Sequence, residues 1–301
     1  MLLTLSPAEI LHTYQTLEKI FPKPIFPKHF QKVHTLGDIS HLYDAFFFDA
    51  FGVLNLGETA IPLAAERIKT LRQQNKQLCI VSNAASVSRQ QLFEKYTKLG
   101  FDFSLDEIVS SRDALATYLH THRAESYGVT APIGTKLNDL NGSFINLIEY
   151  PDAMDTVDGI LLLSSQDWTS SLQETLIQSL ITKPRPILLG NPDLVAPRDN
   201  GFSLEPGFMA KQILDKAHIK ALAFGKPYDN IFNLAKAKLK PDTVLSRTLM
   251  IGDTLHTDIL GGCNAGLHTA MVSANGFAST IPWQDTIQKT GICPHYVIDF
   301  I

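Results

Sequence analysis

Asp49 ends the apolar run Ala45-Phe46-Phe47-Phe48 and is followed by Ala50-Phe51-Gly52-Val53-Leu54. A carboxylate at the carboxyl end of an apolar strand is costly to bury and must be paired, metal-bound or functional. The pattern returns far downstream in Thr248-Leu249-Met250-Ile251-Gly252-Asp253, with Asp258 five residues further on. Open α/β folds bind ligands at the carboxyl edge of a parallel sheet. Two strand-end carboxylates so far apart in sequence therefore suggest one shared divalent-metal site.

Four strand ends, in chain order, carry polar residues: Asp49, the pair Ser82-Asn83, Lys226, and Asp253 with Asp258. Each alone has an ordinary explanation: Asp49 as a turn or cap residue, Ser82 as a helix N-cap, Lys226 as a solvated lysine. All four arriving in order, each after an apolar strand, point instead to a functional constellation. The chemistry it suits is phosphoryl transfer. A phosphate ester is doubly negative and resists an anionic nucleophile unless its charge is neutralised. A divalent cation between Asp49 and Asp253 supplies that neutralisation, and hard oxygen ligands suit Mg²⁺. Ser82 and the N–H groups opening the next helix can hold phosphoryl oxygens. Lys226 adds a fixed positive charge, and Asp258 can bind metal, orient a metal-bound water or hold Lys226. Asp49 itself can attack phosphorus and form an aspartyl-phosphate.

These residues need a frame, and the apolar rhythm predicts one. A strand at 45–49 leads through Gly52 and Gly57 to a helix carrying Ala64, Ile68 and Leu71. The strand Leu78-Cys79-Ile80-Val81 is followed by a helix with Leu92, Phe93, Tyr96 and Leu99 on one face, closed by Gly100. This alternation argues for an α/β fold with a doubly wound parallel sheet. Residues 124–205 hold strands of their own, at Val129–Ile133, Gly159–Leu163 and Pro186–Leu189, and read as a second α/β module inserted in the first. After it come a helix at Phe208–Leu214, a short core strand Leu222-Ala223-Phe224 ending at Gly225-Lys226-Pro227, and strands at His268–Val272 and Tyr296–Ile298. The expected division is therefore 1–123 for the first part of the core, 124–205 for the insert and 206–301 for the second part. Within the first part, 1–40 form an N-terminal helical extension. Ser6-Pro7-Ala8-Glu9 has the capping-box pattern of a helix start, and Ile10, Leu11, Tyr14 and Leu17 recur at helical spacing.

Composition narrows the function classes. A chain of 301 residues with 45% apolar and 19% charged residues reads as an ordinary soluble globular protein. A net charge of −4 offers no general attraction to nucleic acid or to an anionic membrane, so neither is an expected partner. The start of the chain has no basic n-region ahead of its helix pattern, and there is no apolar run of about 18 residues, so no signal peptide or membrane span is expected. Cys79, Cys263 and Cys293 are widely separated, without metal-type spacing, as in a reducing compartment. A cytoplasmic protein is expected.

The four motifs, in this order, resemble the haloacid dehalogenase (HAD) superfamily. More narrowly, Gly52-Val53-Leu54, Gly57, Ile61-Pro62 and Glu66 resemble class IIA, the branch of p-nitrophenylphosphatases and pyridoxal-phosphate phosphatases. Ile133-Gly134-Thr135, Asn191-Pro192-Asp193, Glu205-Pro206-Gly207, Gly225-Lys226-Pro227 and Gly252-Asp253-Thr254 with Thr257-Asp258 are similar to further motifs of that branch. The likeness runs from about residue 40 to 275 and implies a Rossmann-like core with an α/β cap of the C2 type inserted between the second and third motifs. It implies Asp49 as nucleophile and metal ligand, Asp253 as second ligand and the main-chain carbonyl of Phe51 as a further ligand to Mg²⁺. Ser82 and Asn83 would serve the phosphate, Lys226 the phosphate and nucleophile, and Asp258 would be a supporting carboxylate. Asp193, in the cap, would touch substrate or the loop that holds it, unless it only forms a turn. Arg198 is placed to meet a second anion or is simply a surface arginine. The resemblance further implies a small phosphorylated metabolite as substrate and pairing of two copies through the cap.

The pattern breaks at Phe51. The family's first motif is Asp-x-Asp-Gly, and its second Asp serves as general acid and then general base. Such catalysis is worth about 10²–10⁴-fold, so its loss weighs most on poor leaving groups. Glu58 and His256 are open as substitute shuttles; otherwise they are a loop carboxylate and a surface histidine. Three readings compete: a metal-dependent phosphatase with altered leaving-group preference, a phosphate-binding or regulatory protein without turnover, and a transferase passing the phosphoryl group to an acceptor other than water.

Overall fold

The computed structural model describes residues 5–301 except 123, 199 and 200, and the backbone alone of 197, 198 and 201. Its larger sheet is formed by β1 (Gln31–Thr35), β2 (Ala45–Phe48), β5 (Gln77–Ser82), β6 (Ile108–Ser110), β14 (Thr248–Gly252), β15 (His268–Val272) and β16 (Tyr296–Phe300). All seven strands are parallel, in the order β1-β16-β15-β14-β2-β5-β6. A ribbon of β3 (Asn55–Leu56) and β4 (Thr59–Ala60) follows β2.

The strand β2 shows why this sheet is covered on both faces. Successive strand side chains point to opposite faces, and all four residues Ala45–Phe48 are fully buried. Phe46 and Phe48 pack with Ile68 and Leu71 of α3 (Ala64–Gln73) and with Leu92 and Tyr96 of α4 (Arg89–Lys98). Phe47 packs on the opposite side with Ile231 and Phe232 of α8 (Asp229–Lys236). A continuous apolar run is what a doubly covered parallel strand requires. The doubly wound core read from the sequence is the fold found. The short α2 (Leu36–Ile39) precedes β2, α9 (Leu260–Asn264) follows β14, and α10 (Trp283–Thr290) precedes β16.

The smaller sheet contains β7 (Tyr127–Thr130), β8 (Phe144–Asn146), β9 (Gly159–Leu162), β10 (Ile187–Leu189) and β13 (Leu222–Ala223). These are parallel, in the order β13-β10-β9-β7-β8. One face packs against α6 (Ser170–Thr182) and α7 (Pro206–Ala217); the other carries Ala114, Leu115 and Leu119 of α5 (Ser111–Leu119). An antiparallel hairpin, β11 (Val195–Arg198) with β12 (Gly201–Leu204), lies between β10 and α7.

Two sequence expectations change here. Leu222-Ala223 is not a core strand, because it pairs with β10 and forms the edge of the smaller sheet. Both α7 and β13 therefore serve that sheet, although they lie beyond residue 205. A two-residue apolar strand carries no sign of which sheet will pair with it, and that pairing is settled only by tertiary packing. The expected strand Val129–Ile133 instead runs Tyr127–Thr130.

The N-terminal extension is more than a helix. In α1 (Pro7–Leu17), Ser6 and Glu9 form the reciprocal capping box, and Ile10, Tyr14 and Leu17 are buried. They pack against Leu255, Ile259 and Phe277 of the core and against Leu194 and Val195 at the start of the hairpin. The following β1 adds an edge strand to the main sheet. No helix among the described residues is long and apolar enough to cross a membrane.

Candidate active site

The strand order explains how distant residues meet. β2 lies between β14 and β5, so the positions after these three strands line one edge of the sheet. Asp253, Asp49 and Ser82 occupy that edge. Asp49 is fixed by its N–H, which donates to the Ile251 carbonyl at 2.8 Å, and its Oδ1 accepts from the Ala50 N–H at 2.7 Å. Asp49, Asp253 and Asp258 each offer an oxygen within 4.8 Å of the others. Gly52 makes room for this cluster: at φ +81° it has a backbone shape suited to glycine, and a Cβ there would strike the Asp253 carboxylate.

Lys226 comes from the opposite side, on the loop between β13 and α8. Its ammonium lies 2.5 Å from Asp49 Oδ1 and 2.8 Å from Asp258 Oδ1, with only 2% of the side chain exposed. Burial works against the ammonium, but attraction to Asp258 and then Asp49 outweighs it and holds the lysine above its ordinary range. At an effective dielectric of 20, each contact this short is worth about 6 kcal/mol, comparable to the several kcal/mol needed to bury the ion. Sequence alone left open a solvated lysine; the structure places Lys226 inside.

The carboxylates feel the opposite pressure. Burial, then repulsion from Asp49 and Asp258, pushes Asp253 well above the usual carboxylate range. Burial followed by Asp49 raises Asp258 to about 7. Asp253 keeps two donors, the Phe277 N–H at 2.6 Å and the Thr254 hydroxyl at 2.9 Å, and the Thr254 N–H donates to Asp258 Oδ2 at 3.1 Å. Three carboxyl groups face one ammonium, and burial with their mutual repulsion makes the fully charged state of the cluster unfavourable unless a further cation is bound. A cluster of hard oxygen donors in this state fits a divalent cation.

Ser82 is buried, and its Oγ accepts from the Ala84 N–H at 3.3 Å. Asn83 ties three parts of the site together. Its Nδ2 donates to Asp193 Oδ1 at 2.8 Å and to the Lys226 carbonyl at 3.1 Å, while its Oδ1 accepts from the Lys226 N–H at 2.7 Å. Gly225, at φ +118°, permits this approach, since a Cβ there would press on Asn83 Oδ1. Asp193 is thus a cap residue that reaches the core through Asn83. Burial, with repulsion from Asp49 against the pull of Lys226, raises Asp193 to about 7. Behind it, the Asn191 side chain accepts from the Asp193 N–H at 3.0 Å and donates to Glu205 Oε2 at 3.1 Å.

Core and cap together line an open cleft of about 1110 Å³, with Asp49, Ser82, Asn83 and Asp253 from the core and Trp168, Asn191, Asp193 and Phe208 from the cap side. Phe51 and Glu58 face the same space. Glu58 is 80% exposed and paired with Lys95 at 2.8 Å; the Lys95 ammonium also stands 4.8 Å from the centroid of the Phe51 ring. The sequence did not single out Lys95, because a lysine on an amphipathic helix looks like one more solvated charge. His256 is not a surface histidine. It is 1% exposed, stacked on Tyr14 at 4.6 Å, and burial lowers it to about 3. Its helical spacing alone does not mark Tyr14 as a neighbour of the site. The Arg198 side chain lies outside the described residues.

Comparison with known proteins gives a consistent picture. Residues 46–137 match the haloacid dehalogenase-like hydrolase family, and residues 223–301 match a HAD-hydrolase-like family. The chain is 28% identical to the glycerol-3-phosphate phosphatase of Homo sapiens, over 86% of this chain and 88% of that protein. It is 24% identical to the 4-nitrophenylphosphatase of Schizosaccharomyces pombe, over 85% and 91% of the two chains. A crystal structure described as a possible sugar phosphatase of the HAD superfamily, from Cytophaga hutchinsonii, superposes with a TM-score of 0.76 at 25% identity, covering 90% of this chain and 98% of that one.

Proposed function

This chain belongs to the haloacid dehalogenase-like hydrolases, and from that membership we propose that it is a Mg²⁺-dependent phosphatase of a small phosphorylated metabolite. The observation that carries the reading is the buried Lys226 ammonium held between Asp49 at 2.5 Å and Asp258 at 2.8 Å, beside the carboxylate of Asp253. Asp49 and Asp253, with the main-chain carbonyl of Phe51, would hold the cation, which when bound neutralises phosphate charge. Ser82 and the N–H groups after it bind phosphoryl oxygens, and Lys226 adds a further positive charge. The Asp49 oxygen attacks phosphorus, forming an aspartyl-phosphate as the ester oxygen departs, and water then releases phosphate. Asp258 holds Lys226 in place. Asn83 and Asp193 bring the cap to the reacting group and shut out bulk water.

The size of the cavity and its mixed polar and apolar walls suit a small metabolite. The test is hydrolysis of p-nitrophenyl phosphate by purified protein with and without Mg²⁺, together with Asp49→Asn. Metal-dependent turnover abolished in the variant supports the reading; absence of turnover on aryl, acyl and alkyl phosphates overturns it. Phe51, where a carboxylate would shuttle protons, favours a second reading as a phosphate-binding protein, and that same absence of turnover would select it. Transfer from Asp49 to an acceptor other than water would appear as phosphorylated acceptor in place of free phosphate.

A further inference from the structure

Loss of the carboxylate at position 51 leaves the departing ester oxygen without a proton donor. It must leave with the electron pair of the broken P–O bond, as an anion. A positive charge at that side of the cavity is therefore the first requirement, and the structure supplies one. Among the described residues, the cations lining the cavity are Lys95 and Lys216. Lys216 pairs with Glu174 at 2.6 Å on the cap helices. Lys95 projects from α4, which follows the phosphate-loop residues Ser82 and Asn83, and only 21% of its side chain is exposed. Its ammonium is steered by the Gly57 carbonyl at 3.3 Å and by Glu58 at 2.8 Å, over the face of the Phe51 ring.

The face of the Phe51 ring attracts the ammonium. Glu58 is the solvent-facing half of the pair, at 80% exposure, so its carboxylate can be hydrated in place of the ammonium.

We propose that Lys95 is the leaving-group residue of this site, a fixed ammonium that donates a hydrogen bond to the ester oxygen as it departs in place of the acid missing at position 51. The inference rests on the phosphatase reading and adds a residue to it. Bonds balance as follows: the Asp49 oxygen forms a bond to phosphorus, and the P–O ester bond breaks with both electrons on the leaving oxygen. Lys95 stabilises the charge as it develops; an alkoxide takes a proton from the ammonium, which the amine recovers from water, and p-nitrophenolate leaves as the anion.

Turnover should be measured for p-nitrophenyl, phenyl and ethyl phosphate in the wild-type chain and in Lys95→Met, Lys95→Arg and Glu58→Gln. Removing a donor to a developing anion costs about 10²–10³-fold in kcat. Lys95→Met should show a loss of that order for ethyl phosphate, a smaller one for phenyl phosphate and the least for p-nitrophenyl phosphate, with partial recovery in Lys95→Arg. Glu58→Gln, on a side chain 80% exposed and outside the packed core, should raise ethyl phosphate turnover by freeing the ammonium. Equal losses on all three esters in Lys95→Met, or a fall in Glu58→Gln, overturn the proposal while leaving the phosphatase intact. A wild-type chain inactive on every ester overturns both.

Discussion

Tyr14 of the N-terminal helix lies face to face with His256 of the second acidic motif, with ring centroids 4.6 Å apart and planes 7° from parallel. The same tyrosine hydroxyl accepts from the Leu194 N–H at 3.4 Å, next to Asp193 in the cap. One side chain from outside the phosphatase motifs therefore touches both the loop bearing Asp253 and Asp258 and the cap segment that reaches Asn83. Tyr14→Ala should cost about 3–5 kcal/mol of stability through the cavity left by a buried aromatic. It should also lower turnover by loosening both segments. Tyr14→Phe keeps the stack and loses a weak hydrogen bond, a change of about 1 kcal/mol. Urea unfolding of both variants, alongside kcat and KM, checks the pair.

His256 is expected to make the fold sensitive to acid. Burial depresses its folded value to about 3 from an ordinary 6.5, so the unfolded chain binds the extra proton first. Its contribution is full above pH 6.5 and is lost as pH falls toward 3, with a slope of at most about 1.4 kcal/mol per pH unit. His256→Phe retains an aromatic ring against Tyr14 and should lose less stability than the parent between pH 7.5 and 5. Urea midpoints at the two pH values decide it.

Asp193 works in the opposite direction. Its folded value is raised to about 7, so the native state binds the extra proton and stability falls as pH climbs from about 4 to 7. Within that window it offsets part of the His256 effect, and a flat profile in the parent would conceal both. Asp193→Asn can still accept from Asn83 and should be more stable relative to the parent at pH 8 than at pH 5. Measuring both variants at both pH values separates the two contributions.

Metal binding should relieve the repulsion among Asp49, Asp253 and Asp258. Mg²⁺ at 100 times its dissociation constant should stabilise the folded chain by about 2.7 kcal/mol. Asp253→Asn should remove most of that gain and, without metal, should unfold at a higher temperature than the parent because one of the crowded charges is gone. Thermal melts with and without Mg²⁺ check both statements, and an Asp253→Asn melt that still rises fully with metal would contradict the assignment.

Phe51→Asp should restore a proton shuttle and raise turnover, by about tenfold or more for alkyl esters within the range such groups supply, and less for p-nitrophenyl phosphate. The ratio of the two rates is the measurement. An unchanged ratio would mean that the leaving group does not depend on a donor at this position.

Much of this protein was legible in the chain. The buried run Phe46-Phe47-Phe48, the capping box at Ser6 and Glu9, and the order Asp49, Ser82-Asn83, Lys226, Asp253 are local patterns, and local patterns follow from backbone period and the cost of burying charge. They determined a parallel α/β core with an insert and an acidic edge. The pairing of Leu222-Ala223 with the cap, the burial of His256 under Tyr14 and the ammonium of Lys95 over Phe51 were decided only by the tertiary structure. Each joins residues far apart in the sequence, through packing that neither partner's neighbours in the chain specify. A two-residue strand, a loop histidine and a helix lysine all look alike whether they face solvent or a cavity. Only the folded arrangement of the other segments settles which.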